Sequence, residues 1–246
     1  MADELKTYYE RYKETMGKDA YTMENTGGSS RVLFLQEFVR KYAPLGGTIL
    51  DVGCGDMYLS KVLPAYKWTG IDIAPNMSND KAMKVDLMAP PYPFPAESFD
   101  VALCSEVLEH LFDLRVVNHE VARLLKPGGT FIMSTPNFDY IDHQLMGFKQ
   151  LLFDANKVWL FEHIRQYNFD VHDKYLQEAG FDPLEVVGAD AHYSSFFEYA
   201  RIALKSLIRY EHKKELTDGE IDRMLGLMFP RHNHTIMIVS QKKETV

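Results

Sequence analysis

Only two of the 246 residues are cysteine, Cys54 and Cys104, too few for a disulfide scaffold. Two small residues packed in a reducing compartment are the expectation. No run of about 18 apolar residues occurs, so nothing in the chain is suited to span a membrane. No secretory signal pattern opens it either, and a cytoplasmic location without stable membrane insertion is expected. Basic excess is also missing. A formal net charge of −8 disfavours a general nucleic-acid binder, and no DNA partner is expected. With no internal repeats or low-complexity tracts, 246 residues suit one large α/β domain with a sizeable core.

One glycine is absent where it would matter most. Residues 49–60, ILDVGCGDMYLS, run an apolar strand into a glycine-rich turn and a helix start. A dinucleotide site asks for G-x-G-x-x-G, whose last glycine lets helix and strand approach and whose helix start meets a pyrophosphate. Here the series is Gly53, Cys54, Gly55, Asp56, Met57, Tyr58. A bulky ring replaces the last glycine, and Asp56 sets negative charge where the pyrophosphate would lie. A nicotinamide dehydrogenase is disfavoured on both counts. The pattern accords with S-adenosylmethionine, which has no phosphate and carries a sulfonium and an ammonium facing Asp51 and Asp56. Glycine turns bring bare N–H groups near a ligand. Asp72, at the end of the second strand-like run, can accept from both ribose hydroxyls.

Helical spacing marks 31–42, and strands are expected at 48–52, 67–73, 82–87, 101–106, 130–135, 181–189 and 235–242. Helices are expected at about 58–65, from 116 up to the stop at Pro127-Gly128-Gly129, and over 171–180. Strands alternating with helices imply a doubly wound α/β sheet. The chain reads as a single domain, 1–246, with an N-terminal helical cap at 1–45. Two insertions, 137–166 and 190–232, are read as helical lids.

These residues resemble the class I S-adenosylmethionine-dependent methyltransferases. The resemblance covers about residues 30–190, with a final strand near 234–241. It rests on five blocks in order: ILDVGCG, GIDIAPN, VDL, FDVALCSEVLEHL and EVARLLKPGGTFIMSTPN. It implies a Rossmann-like seven-stranded sheet whose last strand is antiparallel and inserts beside the fifth. It departs from the family at Met57, where many relatives carry a third glycine or another small residue. It further implies Asp51, Gly53, Cys54, Gly55 and Ser105 around the methionine moiety, and Asp72 on the ribose. Ile73 would lie against adenine, Asp86 and Leu87 would read its amino group, and Arg31 would pair with the methionine carboxylate.

Transfer to a hydroxyl requires a group that removes its proton. Glu106, Glu109 and His110 follow the fourth strand. The segment is similar to the ubiquinone-biosynthesis O-methyltransferases, where a Glu-x-x-Glu-His at this place is implicated in divalent-cation binding and catalysis. The i, i+3, i+4 spacing would set the three on one helical face, so they form a metal candidate as well, although no metal site is expected. Elsewhere the same Glu-His pair only packs or caps a helix. His163, in EHIRQYN, resembles a histidine that points at substrate in related small-molecule enzymes. His110, Glu106 and His163 are therefore the catalytic candidates.

A small-molecule acceptor is expected, through a hydroxyl of a quinol, a phenol or a sugar. A tRNA or protein substrate and a non-catalytic binding module are the alternatives. Amino-directed DNA enzymes would need an N/D-P-P-Y/F element where CSEV stands, and cytosine C5 enzymes a Pro-Cys where Leu103-Cys104 stands. Loss of the glycine turn or of Asp72 would mark a non-catalytic module, and both are intact. The amphipathic stretch 195–214 is read as a lid or homodimer helix.

Overall fold

Strands of three to twelve residues, alternating with helices, form the architecture. The structure, a computed structural model, describes residues 29–75, 80–137, 167–189, 218–228 and 235–244. Its strands are β1 (Thr48–Val52), β2 (Lys67–Asp72), β3 (Ala82–Lys84), β4 (Phe99–Ser105), β5 (Leu125–Pro136), β6 (Phe181–Ala189) and β7 (Thr235–Lys242). They form one sheet in the order β3-β2-β1-β4-β5-β7-β6. The first five run parallel, and β7 lies antiparallel between β5 and β6. The doubly wound sheet with its reversed last strand is therefore present.

Side chains alternate between the two faces with the period of two that a strand imposes. Leu50, Val52, Ala102, Cys104, Phe131 and Met133 enter one apolar layer. Ile49, Val101, Leu103 and Ile132 enter the other. Helices α3 (Leu114–Leu124) and α4 (Phe169–Glu178) cover the first layer, whereas α1 (Ser30–Tyr42) and α2 (Tyr58–Val62) cover the second. Helices α1, α3 and α4 each start on a polar cap. Ser29 Oγ accepts from the Val32 N–H, Asp113 from the Arg115 N–H, and Asn168 from the Val171 N–H.

Several expectations shift. Helix α2 stops at Val62, short of residue 65, because the chain must turn into β2 at Lys67. Pro127-Gly128-Gly129 does not end a helix; α3 ends at Leu124 and β5 begins directly at Leu125. The β4–β5 register shifts between Phe99 and Val101 to absorb the extra residues, with Gly128 at φ 72°. By sequence, the second insertion, 190–232, reads as a helical lid. Instead α5 (Asp218–Met228), from the second insertion, lies against β6 and α1. Its Ile221 and Leu225 are buried, and Arg223 pairs with Glu37 and sits 5.3 Å over the Phe34 ring. That piece packs against the body beside α1. The first insertion, His163 and the 195–214 stretch lie outside the described residues, as does most of the N-terminal cap, of which α1 is an integral sheet-covering helix.

The cysteines do not meet. β1 and β4 are neighbours, but Cys54 joins one layer and Cys104 the other, both buried.

Candidate active site

The carboxyl ends of β1, β2 and β4 converge where the sheet order reverses direction from β1, the usual binding crevice of an open α/β sheet. Gly53 turns the chain at φ 72°, and Gly53 and Cys54 both donate their N–H to the Ile71 carbonyl, at 2.7 and 3.1 Å. Gly55 donates its N–H to Asp72 Oδ2 at 3.1 Å. Here the sequence reading needs correcting: these N–H groups tie the turn to the end of β2 instead of standing bare toward a ligand. Gly53 is required for a second reason. A Cβ there would lie 2.3 Å from Val107 Cγ2.

Met57, the departure from the family pattern, takes the left-handed conformation that the missing glycine would adopt, at φ 55° and ψ 41°. Strain of this kind persists where surroundings over-determine it, and Met57 is wholly buried. Gly70 makes the room: a Cβ on it would come within 2.7 Å of both Met57 Sδ and Cys54 Sγ. Gly70→Ala is expected to lower the melting temperature by about 5 °C, the cost of overpacking by one methyl group. Thermal denaturation followed by circular dichroism checks it, and an unchanged midpoint would show that the two sulfurs move aside freely.

Asp72 accepts from Gly55 N–H with one oxygen and from Ala74 N–H, at 2.8 Å, with the other. A carboxylate has about four lone-pair directions, which leaves two for hydroxyl donors. Ile73 follows, half-buried. On the other side of the crevice Asp86 accepts from the Met88 N–H at 2.9 Å, and Leu87 is buried with its carbonyl accepting from Tyr92 Oη at 2.9 Å. The sequence reading missed what holds this loop. Glu120 accepts the Tyr92 N–H at 2.6 Å, and Arg123 bonds Glu120 and the carbonyls of Tyr92 and Phe94. A proline-rich stretch is thus clamped onto α3.

Charge in the crevice is acidic. Asp51 loses hydration and faces Asp72 and Asp56, and these raise its pKa to about 7. Asp56 has Lys61 at 3.5 Å. Three carboxylates beside a glycine turn suit a ligand with cationic groups and hydroxyls, and they repel a pyrophosphate. S-adenosylmethionine, with cationic groups at one end and ribose hydroxyls at the other, fits this set of acceptors.

At the far end of β4 the chain again turns left-handed, at Glu106 (φ 56°). A 3-10 turn, Leu108–His110, follows. The single helical face expected for Glu106, Glu109 and His110 is therefore not formed. Glu109 points inward, 2% exposed, and accepts from Thr135 Oγ1 at 3.3 Å. Burial, then the Glu106 charge, pushes its carboxyl well above the usual carboxylate range. His110 Nε2 stands 3.8 Å from Glu109 Oε1 and keeps about a fifth of its side chain exposed. Glu109 is buried against Thr135, so these three side chains do not present one common face to a ligand. Among the described residues no group of three His, Cys, Asp or Glu is placed to hold a metal ion.

Arg31, from the first turn of α1, reaches across the crevice and donates from Nη1 to Ser105 Oγ at 3.2 Å. Ser105 Oγ lies 2.8 Å from Ser134 Oγ, which donates to Glu106 Oε1 at 2.9 Å. Ser134, in β5, is a site residue that the sequence did not mark. Its role depends on the β4–β5 register, which sets Ser105 opposite Ser134.

This sheet order, the glycine turn and the carboxylate at the end of β2 are those of the class I S-adenosylmethionine-dependent methyltransferases. Residues 30–186 match the family described as Methyltransferase domain, and the chain belongs to it. The chain is 31% identical over 162 residues to a ubiquinone biosynthesis O-methyltransferase of Hydrogenovibrio crunogenus, a match that takes in 60% of this chain and 64% of that protein. It is 37% identical over 105 residues to the protein of the same name from Xanthomonas campestris, covering 37% and 44%. The matches thus span less than two thirds of these relatives. An S-adenosylmethionine-dependent methyltransferase from Thermotoga maritima shares the fold at a TM-score of 0.61 and 16% identity, over 99% of this chain and 100% of that one. Among the described residues no helix is long and apolar enough to cross a membrane.

Proposed function

We propose that the protein transfers a methyl group from S-adenosylmethionine to a hydroxyl of a small molecule, a quinol or phenol in preference to a sugar. The observation that carries this reading is the Glu106–His110 turn, which sets a carboxylate and a part-exposed imidazole directly past β4, beside the acidic crevice. The likeness to enzymes named for O-methylation in ubiquinone biosynthesis supports it.

Bound S-adenosylmethionine supplies a methyl group made electrophilic by the sulfonium. The chain's own residues do the rest. Asp72 and the Asp86–Leu87 loop hold the nucleoside end, and Asp51 faces the cationic end. Arg31, at the methionine end, takes its carboxylate in a charge-assisted contact. His110 accepts the acceptor's hydroxyl proton, and Glu109 lies behind the imidazole. Glu106 shares the acceptor side.

The test is S-adenosylhomocysteine release over a panel of catechols, quinols and sugars. His110→Ala is expected to cut turnover at least tenfold while cofactor affinity stays within about twofold, because an interaction made only during transfer lowers kcat and not ground-state binding. Unchanged turnover would remove His110 from the proton-accepting role. Transfer to tRNA or protein alone would overturn the small-molecule assignment.

A further inference from the structure

We propose that Ser134 is a positioning residue, the link in a one-way hydrogen-bond relay that couples Arg31 at the cofactor end of the crevice to Glu106 at the acceptor end. The inference deepens the reading above and rests on its cofactor assignment.

The direction of the relay follows from chemistry alone. A guanidinium has only donors, and an ionised carboxylate only accepts. Arg31 Nη1 therefore donates to Ser105 Oγ, and Ser134 spends its single hydroxyl proton on Glu106 Oε1. The 2.8 Å contact between the two hydroxyls then has one assignment left: Ser105 donates to Ser134. A cation stands at one end and an anion at the other, so every bond in the chain is polarised in the same sense.

Ser134 also holds Glu106 through the backbone. Its carbonyl accepts the Glu106 N–H at 2.9 Å, and Glu106 is the residue forced to φ 56°. One residue thus fixes both the left-handed turn and the direction of the carboxylate it presents. Ser134 is wholly buried in β5, between parallel β4 and antiparallel β7, where its own movement is small. A non-glycine residue held left-handed beside a reacting centre is the pattern by which surroundings store positioning strain. Ser105 and Glu106 are sequence neighbours at the end of β4. Through Ser134 they share one geometry, and a change of charge at Glu106 is felt at Arg31.

Calorimetry with S-adenosylhomocysteine tests this without an acceptor. Glu106→Gln is expected to weaken binding threefold or more, because Arg31 loses the anion that polarises its tether. With Ser134→Ala already present, the same change is expected to alter affinity by less than about 1.5-fold. Ser105→Ala, which cuts the chain one link earlier, is expected to abolish the coupling equally, and it serves if Ser134→Ala folds poorly. A Glu106→Gln effect of equal size in all three backgrounds would overturn the relay. So would no effect in the wild-type background. A wild-type protein that binds no S-adenosylhomocysteine would overturn the cofactor assignment itself, and the relay with it.

Discussion

Gly53→Ala is expected to lower the melting temperature by about 10 °C and to reduce S-adenosylmethionine affinity at least thirtyfold. Two independent costs meet at this position. The backbone is left-handed, at φ 72°, which costs an L-residue about 1–2 kcal/mol. The new methyl would also stand 2.3 Å from Val107 Cγ2, and overpacking of that kind costs about 1–3 kcal/mol. At roughly 2–4 °C per kcal/mol for a chain of this size, the sum accounts for the shift. Affinity suffers more than stability because relief requires movement of Val107, which lies within the Glu106–His110 turn, or of the glycine turn bonded to Asp72. Adding Val107→Ala removes the contacts to Cγ1 and Cγ2, leaving Val107 Cβ at 3.2 Å and the backbone cost, so the double variant should recover about half the lost stability. Complete recovery would show that backbone strain contributes little.

Cofactor affinity is expected to rise with pH up to about 7 and to level off above it. The group responsible is Asp51, whose pKa is raised to about 7 by burial and by Asp72 and Asp56. A cationic ligand favours the ionised carboxylate, so binding below pH 7 must release a proton, and affinity climbs by at most tenfold per pH unit. The same shift acts on stability with its own sign. The folded protein holds the Asp51 proton more tightly than the unfolded chain does. Its contribution is therefore complete below the ordinary carboxylate pKa and is lost as pH rises from about 4 to about 7. Calorimetry between pH 5.5 and 8.5, in two buffers of different ionisation enthalpy, counts the protons. Asp51→Asn should flatten the profile and bind more weakly at pH 8. A pH dependence that survives in Asp51→Asn would assign the proton to another group.

Much of the crevice was legible before any coordinates. The run Ile49–Gly55, the carboxylates Asp72 and Asp86 at the ends of their strand-like runs, and Ser105 at the end of β4 all lie where their spacing put them. Each is a local signal, a strand followed by a turn, and local signals survive in a linear reading. The errors fall where a second segment intervenes. The Glu106–His110 spacing suggests one helical face, yet pairing with β5 through the Ser134 carbonyl pulls Glu106 into a left-handed turn. Helix α5 carries a sequence that reads as part of a lid; Glu37 and Phe34 of α1 are what hold its Arg223.

Chain order and residue type alone, then, dictate the parallel sheet, the acidic character of its crevice and the cofactor class that suits it, because alternation, turn glycines and charge act over a few neighbouring residues. Folding in three dimensions settles which of those groups act together. Arg31 and Ser105 stand 74 positions apart, and Ser105 and Ser134 stand 29 apart. Only the register between β4 and β5 and the docking of α1 across the sheet bring their donors and acceptors within bonding distance, and no periodicity in the chain encodes that meeting.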